Sequence, residues 1–409
     1  MGFVAETPIT YLDHAATTPM RPEAVQAMLP FFSERFANPS GSHRASRDAR
    51  LAIDDAREIV ADCLGVKAGE IIFTGCGTES DNTAILGPTR SAGGTAVCPA
   101  SEHHAILHPV EHIGGRIIGV DEQCQVRMDE LSAALDPAHG DQVRVVSVMA
   151  ANNEVGTIQP LAAISTLVRR LAPAAVLHTD AVQAAAWLDL AAITPLVDMM
   201  SLSGHKFGGP KGVGVLWSRS DQRFEPLLLG GGQERDRRSG THNVAGIVAF
   251  AEALRLTVAE RESTNVRVTM LRNRLVDGLL AMSPCVVETV SRDVKLPGAA
   301  HMMFEGLENE SLLFLLDQEG ICASAASACA SGAMEPSHVL AAMGVQRELA
   351  HGAIRFSLGR TTTDADIDRL LSVMPAILDR LTATVEVANF AAGTRTSTST
   401  TTRAVKASS

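Results

Sequence analysis

The sequence predicts an α/β fold: a mostly parallel seven-stranded sheet covered on both faces by helices, with a smaller α+β domain beside it. Three observations point there. Seven short apolar runs recur between residues 70 and 217, amphipathic segments separate them, and a long helical stretch from residue 244 leads into a different mixture of strands and helices.

The seven runs are "EIIFTG" (70–75), "TAVCPA" (95–100), "RIIGV" (116–120), "VRVVSVMA" (143–150), "AAVLHTD" (174–180), "DMMSLSG" (198–204) and "GVGVLW" (212–217). Each is short, apolar and bounded by turn residues, as buried strands are. The clearest helix covers 48–64, with Ala49, Ala52, Ile53, Ala56, Ile59, Val60 and Cys63 on one face and Gly65 as its stop. A helical stretch follows over 244–282, weakened near "RESTN". Beyond it come strand-like "CVVETV" and "AAHMMFEG", a helix over 309–319 and a last helix from Asp364. The reading assigns 14–260 to a large domain and 1–13 with 261–390 to the small one. The Thr/Ser-rich tail 394–409 is expected to be disordered.

Composition excludes several classes. The 409 residues are 46% hydrophobic and 20% charged, with a net charge of −11, which offers nucleic acid and anionic membranes no general attraction. No run of about 20 apolar residues suggests a membrane span. The first residues lack the basic-then-apolar pattern of a secretory signal. Seven scattered cysteines without a C-x-x-C pair argue against a disulfide framework, a metal site or a ligated cluster. A reducing, cytoplasmic setting is expected, and any cysteine that matters would matter as a thiol.

Ligands of parallel sheets gather at the carboxyl ends of the strands, where the polar clusters of this chain also fall. "TGCGTES" (74–80) follows a strand and opens a helix, so it reads as an anion site or as a simple helix cap by Thr78. Asp180 ends a strand in "HTDAVQ", with Gln183 one turn on; a cap explains a lone Asp, and pairing with a protonated ring nitrogen explains it equally. In "SLSGHKFGGPKGVG" (201–214), Lys206 sits between an apolar run and glycines. Partial desolvation there lowers an ammonium pKa and frees the amine for Schiff-base chemistry. Ser203 and His205 flank it as donors suited to a phosphate. Any one of these residues has an ordinary structural explanation; together they outline a pyridoxal phosphate site without a metal.

Further clusters adjoin it. Two histidines, His103 and His104, follow a strand in "SEHHAILHP"; a histidine there is either packed or stacked on a flat ring as an acid/base. Asn153 lies in "AANNEVGTIQP", where turn chemistry is the competing account. "GGGQERDRRSGTHN" (230–243) is either a solvated charged loop or a binding loop reaching into a partner subunit. Cys329 in "SACASG" stands among residues too small for a core helix.

These motifs, with "YLDHAATTP", "FANPSGSH" and "IRFSLGRTT", resemble those of the cysteine desulfurases, in the class V branch of fold-type-I pyridoxal-phosphate transferases, over about residues 10–385. "SACASGAMEPSHVL" is similar to the group that supplies sulfur for iron–sulfur assembly. The resemblance implies that Lys206 carries the cofactor, His103 stacks on its ring, Asp180 pairs with the ring nitrogen and Gln183 with the phenolic oxygen. It implies that Gly77, Thr78, Ser203 and His205 hold the phosphate, joined by Thr241 from the other subunit of a homodimer. Asn153 and Arg355 would bind the carboxylate of L-cysteine. Cys329 would accept the sulfur, with His103 taking its proton, and a persulfide would pass to a sulfur-acceptor protein for iron–sulfur assembly or thiolation. A selenocysteine lyase of the same branch, or a non-catalytic subunit, is the alternative. Two departures stand out: "SAAS" (324–327) where the family more often has Ser-Ser-Gly-Ser, and the polar tail.

Overall fold

In the computed structural model the structure describes residues 9–136, 138, 142–325 and 337–391. The expected seven strands form one sheet: β1 (Ile71–Thr74), β2 (Thr95–Pro99), β3 (Arg116–Ile118), β4 (Val143–Ser147), β5 (Val176–Asp180), β6 (Met199–Ser203) and β7 (Gly214–Ser218). Their order is β1-β7-β6-β5-β4-β2-β3, and only β7 runs antiparallel to its neighbours. β1, β2, β5, β6 and β7 are buried along their whole length, as strands covered on both faces must be. β4 is buried except at Arg144, and β3 departs furthest: it lies at the edge, and its "RIIGV" run pairs over three residues only.

The helix Arg44–Leu64 buries Ala49, Ala52, Ile53, Ala56 and Val60 in the large core, mainly against the helix Val244–Met282, while Ile59 and Cys63 lie half-buried. Gly65 ends it with φ 66°, the left-handed turn that favours glycine. Residues 286–288, 299–304 and 353–357 build a second, three-stranded antiparallel sheet, which the helices Asn309–Gln318 and Asp364–Ala391 accompany. The strand over 353–357 was legible only as part of a motif. Thr10–Tyr11 pairs in parallel with Ile321–Cys322, joining the start of the described chain to this region.

The helical stretch expected over 244–282 is a single helix. The helix Val244–Met282 runs unbroken for 39 residues through "RESTN". Its first half packs Ala249, Phe250, Ala253 and Leu254 into the core of the large sheet. Its second half packs Val268, Leu271, Leu275 and Leu279 into the core of the small one. The polar stretch is where the helix crosses between these cores: Arg261 Nη1 donates to Leu188 O at 3.2 Å and Asn265 Nδ2 to Trp187 O at 2.8 Å. Polarity there reflects a change of neighbours, not an end of the helix. Among the described residues no helix is long and apolar enough to cross a membrane. The tail 394–409 lies outside them.

Gly65→Ala should cost about 1 kcal/mol, because alanine must adopt a positive φ and its Cβ would stand 3.3 Å from Ala191 Cβ. A shift of the denaturant midpoint to lower concentration at unchanged slope measures it.

Candidate active site

The strand ends β5 and β6 and the start of the helix Gly77–Ala92 enclose a cavity of about 500 Å³. It is lined by Gly77, Thr78, His103, Asn153, Asp180, Gln183, Ser203, His205, Lys206 and Arg355. Ten of the twelve residues singled out in the sequence therefore converge. Thr241 does not line it; it sits by Phe32, Phe36 and Asn243 at a separate depression. Cys329 lies outside the described residues, although Ser324 and Ser337 line the cavity.

Lys206 ends the short turn Gly204–Lys206 that follows β6. Its Nζ donates to Ala15 O at 2.6 Å and Ala16 O at 2.9 Å, and Gln183 Nε2 donates to the same Ala15 O at 2.8 Å. Asp180 Oδ1 accepts from Val182 N at 2.8 Å. Burial raises the Asp180 carboxyl to about 6, with the Val182 bond and Lys206 opposing the rise. Asp81 is buried with its Oδ1 3.8 Å from His178 Nε2 and without a hydrogen bond, and burial and then Asp180 push its carboxyl well up.

The helix Gly77–Ala92 starts without a side-chain cap, because Cys76 at its N-cap makes none. Its first residues, Gly77 and Thr78, line the cavity with no capping side chain, an arrangement suited to an anion. A Cβ on Gly77 would stand 2.9 Å from Val182 Cγ2, so only glycine lets the helix start lie so close to the strand ends. His205 Nδ1 and Thr17 Oγ1 are 3.1 Å apart, and burial, with Lys206 and Lys211 adding to it, lowers His205 to about 4. A neutral imidazole can donate to a phosphate at the nitrogen Thr17 leaves open.

His103 caps the helix His104–His112, its Nδ1 accepting from Ala105 N at 3.0 Å. Burial and then the Lys206 charge lower it to about 4. The ring is neutral at neutral pH with its proton on Nε2, so it is set up as a donor. Accepting a thiol proton, as the sequence reading expects, requires the cap bond to open.

Arg355 enters from the small sheet. Its Nη1 donates to Asn153 O at 2.8 Å and its Nη2 to Asp13 Oδ1 at 2.7 Å, while Nε is buried without a partner. Asp13 was not recognised in the sequence; it lies 342 positions away, and only its motif "YLDHAATTP" hinted at it. Glu102 was missed as well. It is fully buried, accepts from Met149 N at 2.6 Å, and is pushed well up by burial. Its carbonyl faces His338 Nε2 at 2.9 Å, tying the helix after Ser337 to the cavity rim.

In the "QERD" stretch Glu234 is buried while Arg235 and Asp236 are exposed. Glu234, Arg235 and Asp236 have φ of 50°, 59° and 65°, a left-handed turn without glycine that costs roughly 1 kcal/mol or more per residue. Arg238 pairs with Glu79 at 2.7 Å, and Glu79 accepts from Gly75 N, so this loop reaches the helix that opens the cavity.

A lysine on the turn after a sheet strand, facing a buried acid across a cavity at the carboxyl edge, defines the fold-type-I architecture of pyridoxal-phosphate enzymes. Within it the chain belongs to the aminotransferase class-V family, whose profile matches residues 10–370. It is 43% identical over 384 residues to the cysteine desulfurase IscS of Methanosarcina thermophila, covering 92% of this chain and 93% of the relative. It is 42% identical to the cysteine desulfurase NifS of Azotobacter vinelandii, over 91% of this chain and 93% of the relative. Among solved structures, a NifS-like protein superposes with TM-score 0.85 at 34% identity, over 91% of this chain and all of that one. DndA from Streptomyces lividans gives 0.70 at 34% identity, over 85% and 99%.

A carboxyl raised from 3.8 to about 6 by burial binds its proton more tightly folded than unfolded, so it lowers stability as pH rises between those values. Asp180→Asn should therefore stabilise the cofactor-free protein by on the order of 2 kcal/mol above pH 6, with no gain below pH about 4. Denaturant unfolding across pH 4–8 measures this; a gain independent of pH would contradict it.

Proposed function

We propose that this protein is an L-cysteine desulfurase that holds pyridoxal phosphate through Lys206 and delivers sulfur to Cys329. The convergence of Lys206, Asp180, His103 and Arg355 on one cavity carries the reading. The residues fit the cofactor: an uncapped helix start with Gly77 and Thr78, a neutral His205 and Ser203 suit a phosphate ester, and a buried Asp180 suits a protonated ring nitrogen. When bound, the cofactor supplies an electron sink for the bonds at the substrate's Cα and Cβ.

The chain's own residues do the rest. Arg355 binds the cysteine carboxylate; each Nη keeps a second hydrogen beyond its bonds to Asn153 and Asp13, so it can take the ligand without abandoning them. Lys206 is the tether and the base nearest the reacting carbon. His103 stacks and donates from Nε2. Gln183 turns its amide to the phenolic oxygen once Ala15 O is given up. Cys329, as thiolate, attacks the substrate sulfur: an S–S bond forms, the Cβ–Sγ bond breaks, and the carbon takes a proton to leave as alanine. A second copy of the chain contributes Thr241, and the persulfide passes to an acceptor protein of iron–sulfur assembly or thiolation.

The protein loaded with pyridoxal phosphate should release alanine from L-cysteine, and borohydride should fix the cofactor on Lys206. Cys329→Ser should form no persulfide and lose about 100-fold or more in alanine release. Full turnover by Cys329→Ser would instead mark a lyase that does not need this thiol. No alanine from the wild type would refute the reading.

A further inference from the structure

The left-handed turn of residues 234–236 is held by one buried carboxylate. Glu234 takes a bidentate pair from Arg57, Nη1 to Oε2 and Nη2 to Oε1, both at 2.7 Å. It also accepts from Phe73 N at 3.1 Å and bonds His242 Nε2 at 2.8 Å. Arg57 in turn donates to Ile71 O at 2.7 Å. The carboxylate thus clamps both ends of the excursion 235–241 onto β1, since it belongs to the residue before that excursion and binds the residue after it. Arg235 and Arg237 add bonds to Gly69 O at 2.7 and 2.9 Å. A charge this deeply buried is costly unless fully paired, and here it is paired on both oxygens.

Thr241 stands at the end of the excursion, directly before His242. It is exposed, and among the described residues its hydroxyl has no hydrogen-bond partner. The loop spends strain and a buried ion pair to present a threonine that does nothing within its own chain. We propose that Glu234 is a positioning residue for the active site of the second copy: through Arg57 and His242 it fixes the left-handed loop so that the Thr241 hydroxyl reaches the partner's cofactor phosphate. This rests on the dimeric reading of Thr241 given above, and deepens it by naming what sets that hydroxyl in place.

Mixed dimers of the holoenzyme, isolated with two different tags, test it. The readout is loss of the visible absorbance of Lys206-bound cofactor after dilution, so Lys206→Ala silences one site. In the first dimer Glu234→Gln and Lys206→Ala share a chain and the partner is wild type. The intact lysine then receives the altered loop, and cofactor should leave about tenfold faster, the worth of one charge-assisted hydrogen bond. In the second, Glu234→Gln and Lys206→Ala are on opposite chains. The intact lysine then receives a native loop, and cofactor should leave at the wild-type rate. Loss confined to the second dimer, equal loss in both, or loss in neither overturns the proposal. If Glu234→Gln does not assemble, Arg57→Lys goes through the same pairings with the same expected result. Thr241→Ala in the first pairing separates the two claims. If it has no effect, the shared-site reading fails; if it speeds loss and Glu234→Gln does not, only the positioning role fails.

Discussion

The structure turns on where the Lys206 amine is held. Two carbonyls of the segment before residue 17 take its protons, and that segment is stitched on both sides. Thr18 N bonds His205 O at 2.9 Å and Gly208 N bonds Thr18 Oγ1 at 2.8 Å, fastening it to the large sheet. His14 N bonds Ser357 O at 3.1 Å and Ala15 N bonds Ser357 Oγ at 2.9 Å, fastening it to the small one. The strap therefore fixes the amine, Asp13 and Arg355 in one frame. Through it the lysine gains two backbone acceptors and the arginine the Asp13 carboxylate.

Electrostatics around that frame are arranged at a cost. Asp180, Asp81 and Glu102 are all buried near one strand edge, and burial raises each. Like charges at close quarters with little water favour holding protons rather than charge. A cation placed beside Asp180 would offset that cost. Glu234 shows the opposite solution: burial raises it too, yet the bonds from Arg57 and His242 outweigh burial and bring it to about 2.

Much of this was legible. Seven apolar runs gave seven strands because a doubly covered sheet writes hydrophobicity into every position of its strands. Glycines and polar residues at strand ends marked the cavity because such sheets bind ligands there. What was not legible depends on pairs far apart in sequence. Asp13 is an ordinary acid until Arg355 arrives beside it, and Glu102 looks solvated until Met149 N closes over it. The pattern weakened at "RESTN" because a helix that passes from one core to another loses its apolar stripe midway without losing its hydrogen bonds. "QERD" was undecidable, since a run of charges reads alike whether water or Arg57 receives it.

The helix Val244–Met282 has a mechanical corollary. At 1.5 Å per residue it is about 58 Å long and packs into both cores without an interruption of its own. Bending such a rod stretches a hydrogen-bonded ladder, so the two halves resist swinging like jaws. The spacing between Lys206 and Arg355, which line one cavity, is then set in part by that helix.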